Sequence, residues 1–154
     1  MASEIMASQR DRSIGYLTNL AGRLLVRTLS RELDGIGLSI GYMPVFVALG
    51  DGARMTQKDL AIQAMVEQPT MAATLSRMER DGLIARLPNP KDMRSALVSL
   101  TPAARAKMKD LAGAIETVTG LATAGLTKAE QAQYIALVDK IIASLQAANI
   151  ESAD

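Results

Sequence analysis

Ile14, Leu17, Leu20, Ala21, Leu24, Leu25, Thr28 and Leu29 recur at three- and four-residue steps, the period of an amphipathic helix. That helix should end near Asp34-Gly35, with Gly35-Ile36-Gly37 as the turn after it; the residues ahead of it are expected to fray. Ser39 predicts the cap of a second helix reaching about Leu49, with Tyr42, Val45, Phe46 and Leu49 on its apolar side. Pro44 lacks an amide hydrogen and is expected to bend this helix before Gly50-Asp51-Gly52 stops it.

Thr56-Gln57-Lys58-Asp59 resembles a capping box with Asp in place of Glu, which predicts a short third helix packing through Leu60 and Ile62 or Met65. Pro69 suits the first position of a fourth helix, since the amide it lacks has no partner there. Along it, Met71, Leu75 and Met78 share one arc, and Thr70, Ala73, Thr74 and Arg77 share another. One arc is expected to pack and the other to face outward. Gly82 ends the helix, and strands are predicted over Leu83 to Leu87 and Ala96 to Leu100.

Pro88-Asn89-Pro90 between the strands offers turn chemistry, with no amide hydrogen at the prolines. The hairpin tip is left to Lys91, Asp92 and Arg94. Thr101-Pro102 predicts a fifth helix to about Thr123, and Thr127-Lys128-Ala129-Glu130, a full capping box, a sixth to about Ala147. The sixth is apolar over a wide arc (Tyr134, Ile135, Leu137, Val138, Ile141, Ile142 and Leu145). One neighbour does not cover such a face, so the terminal helices are expected to build a homodimer.

The chain of 154 residues, 49% apolar, is long enough for one domain with a core. It has no long apolar run, and residues 1–12 lack a secretory core, so a cytoplasmic location is expected. The absence of cysteine and histidine removes thiol redox sensing, thiolate metal sites and the commonest general base. No enzyme activity, metal or cofactor is expected. Met65, Met71, Met78, Met93 and Met108 read as core or gap-filling residues.

The net charge is only +1, but Arg86, Lys91, Arg94, Arg105, Lys107 and Lys109 lie in residues 84–109 against one acid, Asp92. Positive charge is thus expected at the hairpin and just beyond it, a local footprint for nucleic acid. Taken alone, Lys-Asp-Met-Arg at a turn is more often a solvated hairpin than a DNA contact. Arg77 likewise fits either an outward reader or a helix-surface partner for Asp81, four positions on.

Thr56-Gln57-Lys58-Asp59-Leu60-Ala61, Gln68-Pro69-Thr70-Met71, Leu75, Arg77-Met78-Glu79-Arg80-Asp81-Gly82-Leu83-Ile84, Asp92-Met93-Arg94-Ser95 and Leu100-Thr101 follow one another in the order of these elements. In that order the chain resembles the MarR family of bacterial winged helix-turn-helix regulators over nearly its whole length. It departs at Ala73, where many members carry arginine or another polar residue, and at Ala104, where glycine is usual. The resemblance implies a mainly α fold with a small two-stranded β wing and N- and C-terminal dimerisation helices. Residues 36–100 would form the DNA-binding region, and residues 1–35 with 101–154 the dimerisation region.

The expected function is a homodimeric, sequence-specific regulator, and more specifically a repressor, on a pseudo-palindromic double-stranded DNA operator. Base edges would be read from the fourth helix through Gln68, Pro69, Thr70, Ala73, Thr74 and Arg77, with Thr56 and Gln57 supporting it from the third. In the wing, Arg94 would enter the minor groove and Lys91 meet phosphate, while Asp92 would pair with Arg94 or accept tip amides. The resemblance also implies a small aromatic or phenolic ligand, with Tyr16, Leu20, Arg23, Met43 and Phe46 as candidate lining residues; residues of these types are more often simply core. A winged-helix protein-protein adaptor without DNA binding is the alternative that Ala73 and the modest charge allow.

Overall fold

A computed structural model describes residues 13–151, so the expected fraying of the first residues lies outside it. The chain forms two compact units, Met1–Glu116 and Thr117–Asp154.

In the first unit, helix α1 (Ile14–Gly35) starts at Ser13, whose hydroxyl accepts the Tyr16 amide at 3.1 Å. It ends when Leu38 N donates to Leu33 O (2.9 Å) and Gly37 N to Asp34 O (3.2 Å), with Gly37 at φ +70°. This closure needs a left-handed residue, which glycine supplies without a Cβ clash. Ser39 does act as a cap, but the turn it starts, Ile40–Tyr42, is a 3-10 turn, and helix α2 (Met43–Leu49) begins only after it. Pro44 therefore sits in the first turn of a new helix, where it forfeits no bond, and does not bend a longer one.

A strand that the residue pattern does not predict, β1 (Met55–Thr56), precedes helix α3 (Gln57–Ala64). Helix α4 (Gln68–Arg80) comes next, then β2 (Ile84–Pro88) and β3 (Ala96–Leu100). The sheet is antiparallel and three-stranded, in the order β1-β3-β2, with Met55 opposite Val98 and Ile84 opposite Leu100. The wing is still the β2-β3 hairpin; β1 merely pairs with its base.

The expected fifth helix is two. Helix α5 (Pro102–Ala106) is capped by Thr101, and helix α6 (Met108–Ala122) starts after a break at Lys107. There the Lys107 amide bonds back three residues to Ala104 O (3.1 Å), and its ammonium reaches Ile36 O at 2.9 Å.

The core contains Leu33, Leu38, Val45, Phe46, Leu49, Leu60, Met71, Leu75, Met78, Val98, Leu100 and Leu111. Helix α3 packs through Leu60 and Ala61, whereas Ile62 and Met65 point to solvent. Met71 and Met78 are core, as expected of gap-filling methionines; Met65 and Met93 are not. In the second unit, helix α7 (Lys128–Glu151) begins with a complete capping box: Glu130 N donates to Thr127 Oγ1 (3.3 Å) and Thr127 N to Glu130 Oε2 (2.7 Å). The Thr127 amide, and after it the Thr127 hydroxyl donating to the same Oε2 at 2.9 Å, draw the Glu130 carboxyl below its ordinary pKa. No single helix among the described residues is long and apolar enough to cross a membrane.

Candidate nucleic-acid interface

Helices α3 and α4 are joined by a tight turn whose pivot is Met65, a non-glycine residue in the left-handed region at φ 53°. Val66 N then bonds to Ala61 O (3.0 Å), which closes α3 and turns the chain. Thr56 holds the start of α3 by accepting the Asp59 amide (3.2 Å) and donating to Asp59 Oδ2 (2.7 Å). The return bond of a full box, to the Thr56 amide, is not formed; aspartate is one methylene shorter than the Glu130 that makes it in α7.

Helix α4 buries Met71, Thr74, Leu75 and Met78. Thr74 is thus a correction to the expected reading face: at 6% exposure it lies three residues from Met71 and four from Met78, within the packing stripe. Gln68, Pro69, Thr70, Ala73 and Arg77 lie outside that buried set, Ala73 and Arg77 on its open side. Gln57 Nε2 lies 3.4 Å from Gln68 Oε1, a long contact that brings the starts of α3 and α4 together.

Asp81 does not bond to Arg77. Its carboxylate takes the Tyr42 hydroxyl at 2.6 Å and Arg80 Nε at 3.1 Å. Donation to Asp81, and burial after it, raises the Tyr42 phenol above its ordinary range. The same bond, ahead of the one from Arg80, lowers the Asp81 carboxyl. Arg77 consequently forms no ion pair among the described residues.

The wing tip is built by Asn89, whose place in the sequence suggests turn chemistry alone. It is 8% exposed; its Oδ1 accepts Lys91 N (3.0 Å) and its Nδ2 donates to Ser95 Oγ (2.8 Å). Asp92 N bonds to Asn89 O (3.2 Å) and Ser95 N to Asp92 O (3.0 Å), so two turns run in succession through the tip. Of the two roles expected for Asp92, its Oδ1 takes the backbone one, accepting Arg94 N at 3.0 Å. Lys91, Met93 and Arg94 are left exposed, Met93 at 94%.

The basic footprint is smaller than its composition suggests. Arg86 Nε is paired with Glu79 Oε2 at 3.1 Å, Arg105 donates twice to Leu100 O at 3.3 Å, and Lys107 is bound to Ile36 O. Three of the six cations therefore brace the fold.

The expected ligand residues do not gather. Phe46, at 1% exposure, is a core side chain held by its position on the inner face of α2, and Met43 packs against the same core. Arg23 lines an open groove of about 610 Å³ along α1 with Arg27, Arg31, Val26 and Ile40; Tyr16 and Leu20 are not part of its lining.

A helix, a tight turn, a second helix with an exposed row and a braced hairpin define a winged helix-turn-helix protein. The MarR family model matches residues 47–96, from α2 to the start of β3. The uncharacterized HTH-type transcriptional regulator YwoH of Bacillus subtilis is 30% identical over 101 residues, which cover 66% of this chain and 73% of that protein. The homoprotocatechuate degradative operon repressor of Escherichia coli is 33% identical over 95 residues, 62% of this chain and 64% of that one. Among solved structures, a mutant of E. coli MarR complexed with operator DNA superposes with a TM-score of 0.79 at 24% identity, covering 86% of this chain and 96% of that one. The chain belongs to the MarR family. It is a transcriptional regulator and not an enzyme.

Proposed function

We propose that this regulator is a homodimeric repressor that binds a pseudo-palindromic DNA operator, with residues 36–100 as the DNA-binding region and residues 1–35 and 101–154 as the dimerisation region. The observation that carries the reading is the exposed row Thr70, Ala73 and Arg77 on α4, with Gln68 exposed in its first turn, paired with a wing tip that presents Lys91 and Arg94 on a backbone pinned by Asn89 and Asp92. A helix of this kind reads base edges in the major groove, and a wing arginine follows the backbone or a narrow minor groove. Apolar residues left exposed on α1 (Leu17, Leu24, Leu25) and on α7 (Tyr134, Ile135, Leu137) support a second copy as their cover. The E. coli relative named as an operon repressor supports repression over activation. The protein would act in the cytoplasm and answer to a small aromatic or phenolic ligand, for which the groove beside Arg23 is the favoured seat.

The test is binding of the purified protein to the DNA upstream of its own coding sequence and to unrelated DNA as salt is raised. A specific complex is tighter on the former and weakens steeply with salt. Equal binding to both, or none at low salt, overturns the reading in favour of the adaptor.

A further inference from the structure

The recognition helix is fixed at both ends by different means. Its start leans on α3, through the Met65 turn and the Gln57–Gln68 contact. Its far end is fixed by backbone closure, Leu83 N to Met78 O at 2.8 Å, and by the Thr101 hydroxyl on Gly82 O at 2.7 Å. Arg86 on β2 pairs with Glu79 in the helix's last turn, and among the described residues one side-chain bond, from Tyr42 to Asp81, reaches this end from the segment before α2, 39 residues back in the chain.

Tyr42 closes the 3-10 turn that comes just after the Gly37 stop of α1, with its amide on Ser39 O at 3.0 Å. Its side chain is buried, the residue being 6% exposed, and moves about only two torsions, so its hydroxyl is a fixed point. A neutral hydroxyl donating to a carboxylate at 2.6 Å belongs to the short, strong class of hydrogen bond. The bond therefore ties the C-cap of the reading helix to the 3-10 turn that links α1 to α2. It also borders an open hollow of about 310 Å³ lined by Ser30, Asp34, Leu38 and Ile40, and the Asp81 side chain keeps 37% of its surface in water. Breaking the bond leaves a hydrated carboxylate, which the fold tolerates.

We infer that Tyr42 and Asp81 are positioning residues that set the angle of the recognition helix against α1, and thereby the half-site spacing the dimer accepts. The inference rests on the dimeric operator reading given under the proposed function. In that arrangement α1 belongs to the dimer contact and α4 to the groove, so a looser link between them widens the range of spacings without changing any group that touches DNA.

The experiment uses duplexes selected by the full-length wild-type protein from a random pool, resynthesised with one base pair added or removed between the half-sites. The wild type should prefer the selected spacing, and Tyr42→Phe and Asp81→Ala should each cut that preference by about tenfold, the worth of one charge-assisted bond. Affinity for unrelated DNA, dimer mass and helix content should stay unchanged. Asp81→Ala, altered at a solvated position, serves if Tyr42→Phe fails to fold. Variants that discriminate spacing as sharply as a discriminating wild type overturn the inference alone. A wild type that selects no paired half-sites overturns the operator reading and the inference together.

Discussion

The amide of Asn89 donates to the hydroxyl of Ser95 across 2.8 Å, closing the wing tip from inside while the residues between them, 90–94, stay exposed. The tip's shape thus depends on a side chain that offers nothing to DNA. Asn89→Ala removes this bond and the one to Lys91 N, at a cost to stability of about 1–2 kcal/mol. DNA affinity should fall although Lys91 and Arg94 are intact. Denaturation and DNA titration of the one variant check both halves, and unchanged affinity would show that the tip needs no brace.

Thr70 and Thr74 are one helical turn apart, and only Thr70 is exposed. Thr70→Val should change the preference among operator variants, whereas Thr74→Val should leave it as it is. Arg94→Ala should weaken binding to all sequences and flatten the salt dependence by about one phosphate contact. Competition titrations over a panel of duplexes distinguish these patterns; normal operator binding by Arg94→Ala would remove the wing assignment.

Leu24 on α1 and Leu137 on α7 are about half exposed. Leu24→Glu or Leu137→Glu therefore places charge where the protomer itself has little to lose, and helix content should be preserved. Sedimentation should shift from dimer to monomer mass, with operator affinity lost along with it. A dimer that persists in both variants would put the subunit contact elsewhere.

The Tyr42–Asp81 bond makes stability pH-dependent at both extremes. Asp81 has a lowered pKa in the fold, so its contribution is complete above its ordinary value of 3.8 and lost as pH falls through the folded value. Tyr42 has a raised one, so its contribution is complete below 10.0 and lost as pH rises through the folded value. Asp81→Asn should lower stability at neutral pH and flatten part of the acid limb, as read from denaturation midpoints from acid to neutral pH. An acid limb identical to the wild type's would mean that the bond contributes nothing in solution.

Signals carried by neighbouring residues were legible in the sequence. Thr101-Pro102, the Thr127-Glu130 box and the Gly82 stop each act within a few residues, and each marks a real boundary. Strand β1 was not legible, because two residues show no alternation and their pairing with Leu97 and Val98 is set far along the chain. Thr74 was misread because threonine suits either face and the dividing line between two arcs is fixed only by packing. Arg86, Arg105 and Lys107 looked like free charge for the same reason: their partners Glu79, Leu100 and Ile36 are brought to them by the fold. The open row on α4 and the wing's basic tip could be placed from sequence; the Asn89 clamp and the Tyr42 link could not.

Thr56 ends β1, where it lies opposite Leu97, and its hydroxyl caps α3. Strand β1 and helix α3 meet at this residue, with no loop between them to absorb slack. The hairpin that carries the wing is therefore joined to the helix pair through β1 without a flexible segment: Thr56 pairs opposite Leu97 of β3 on one side and caps the first turn of α3 on the other.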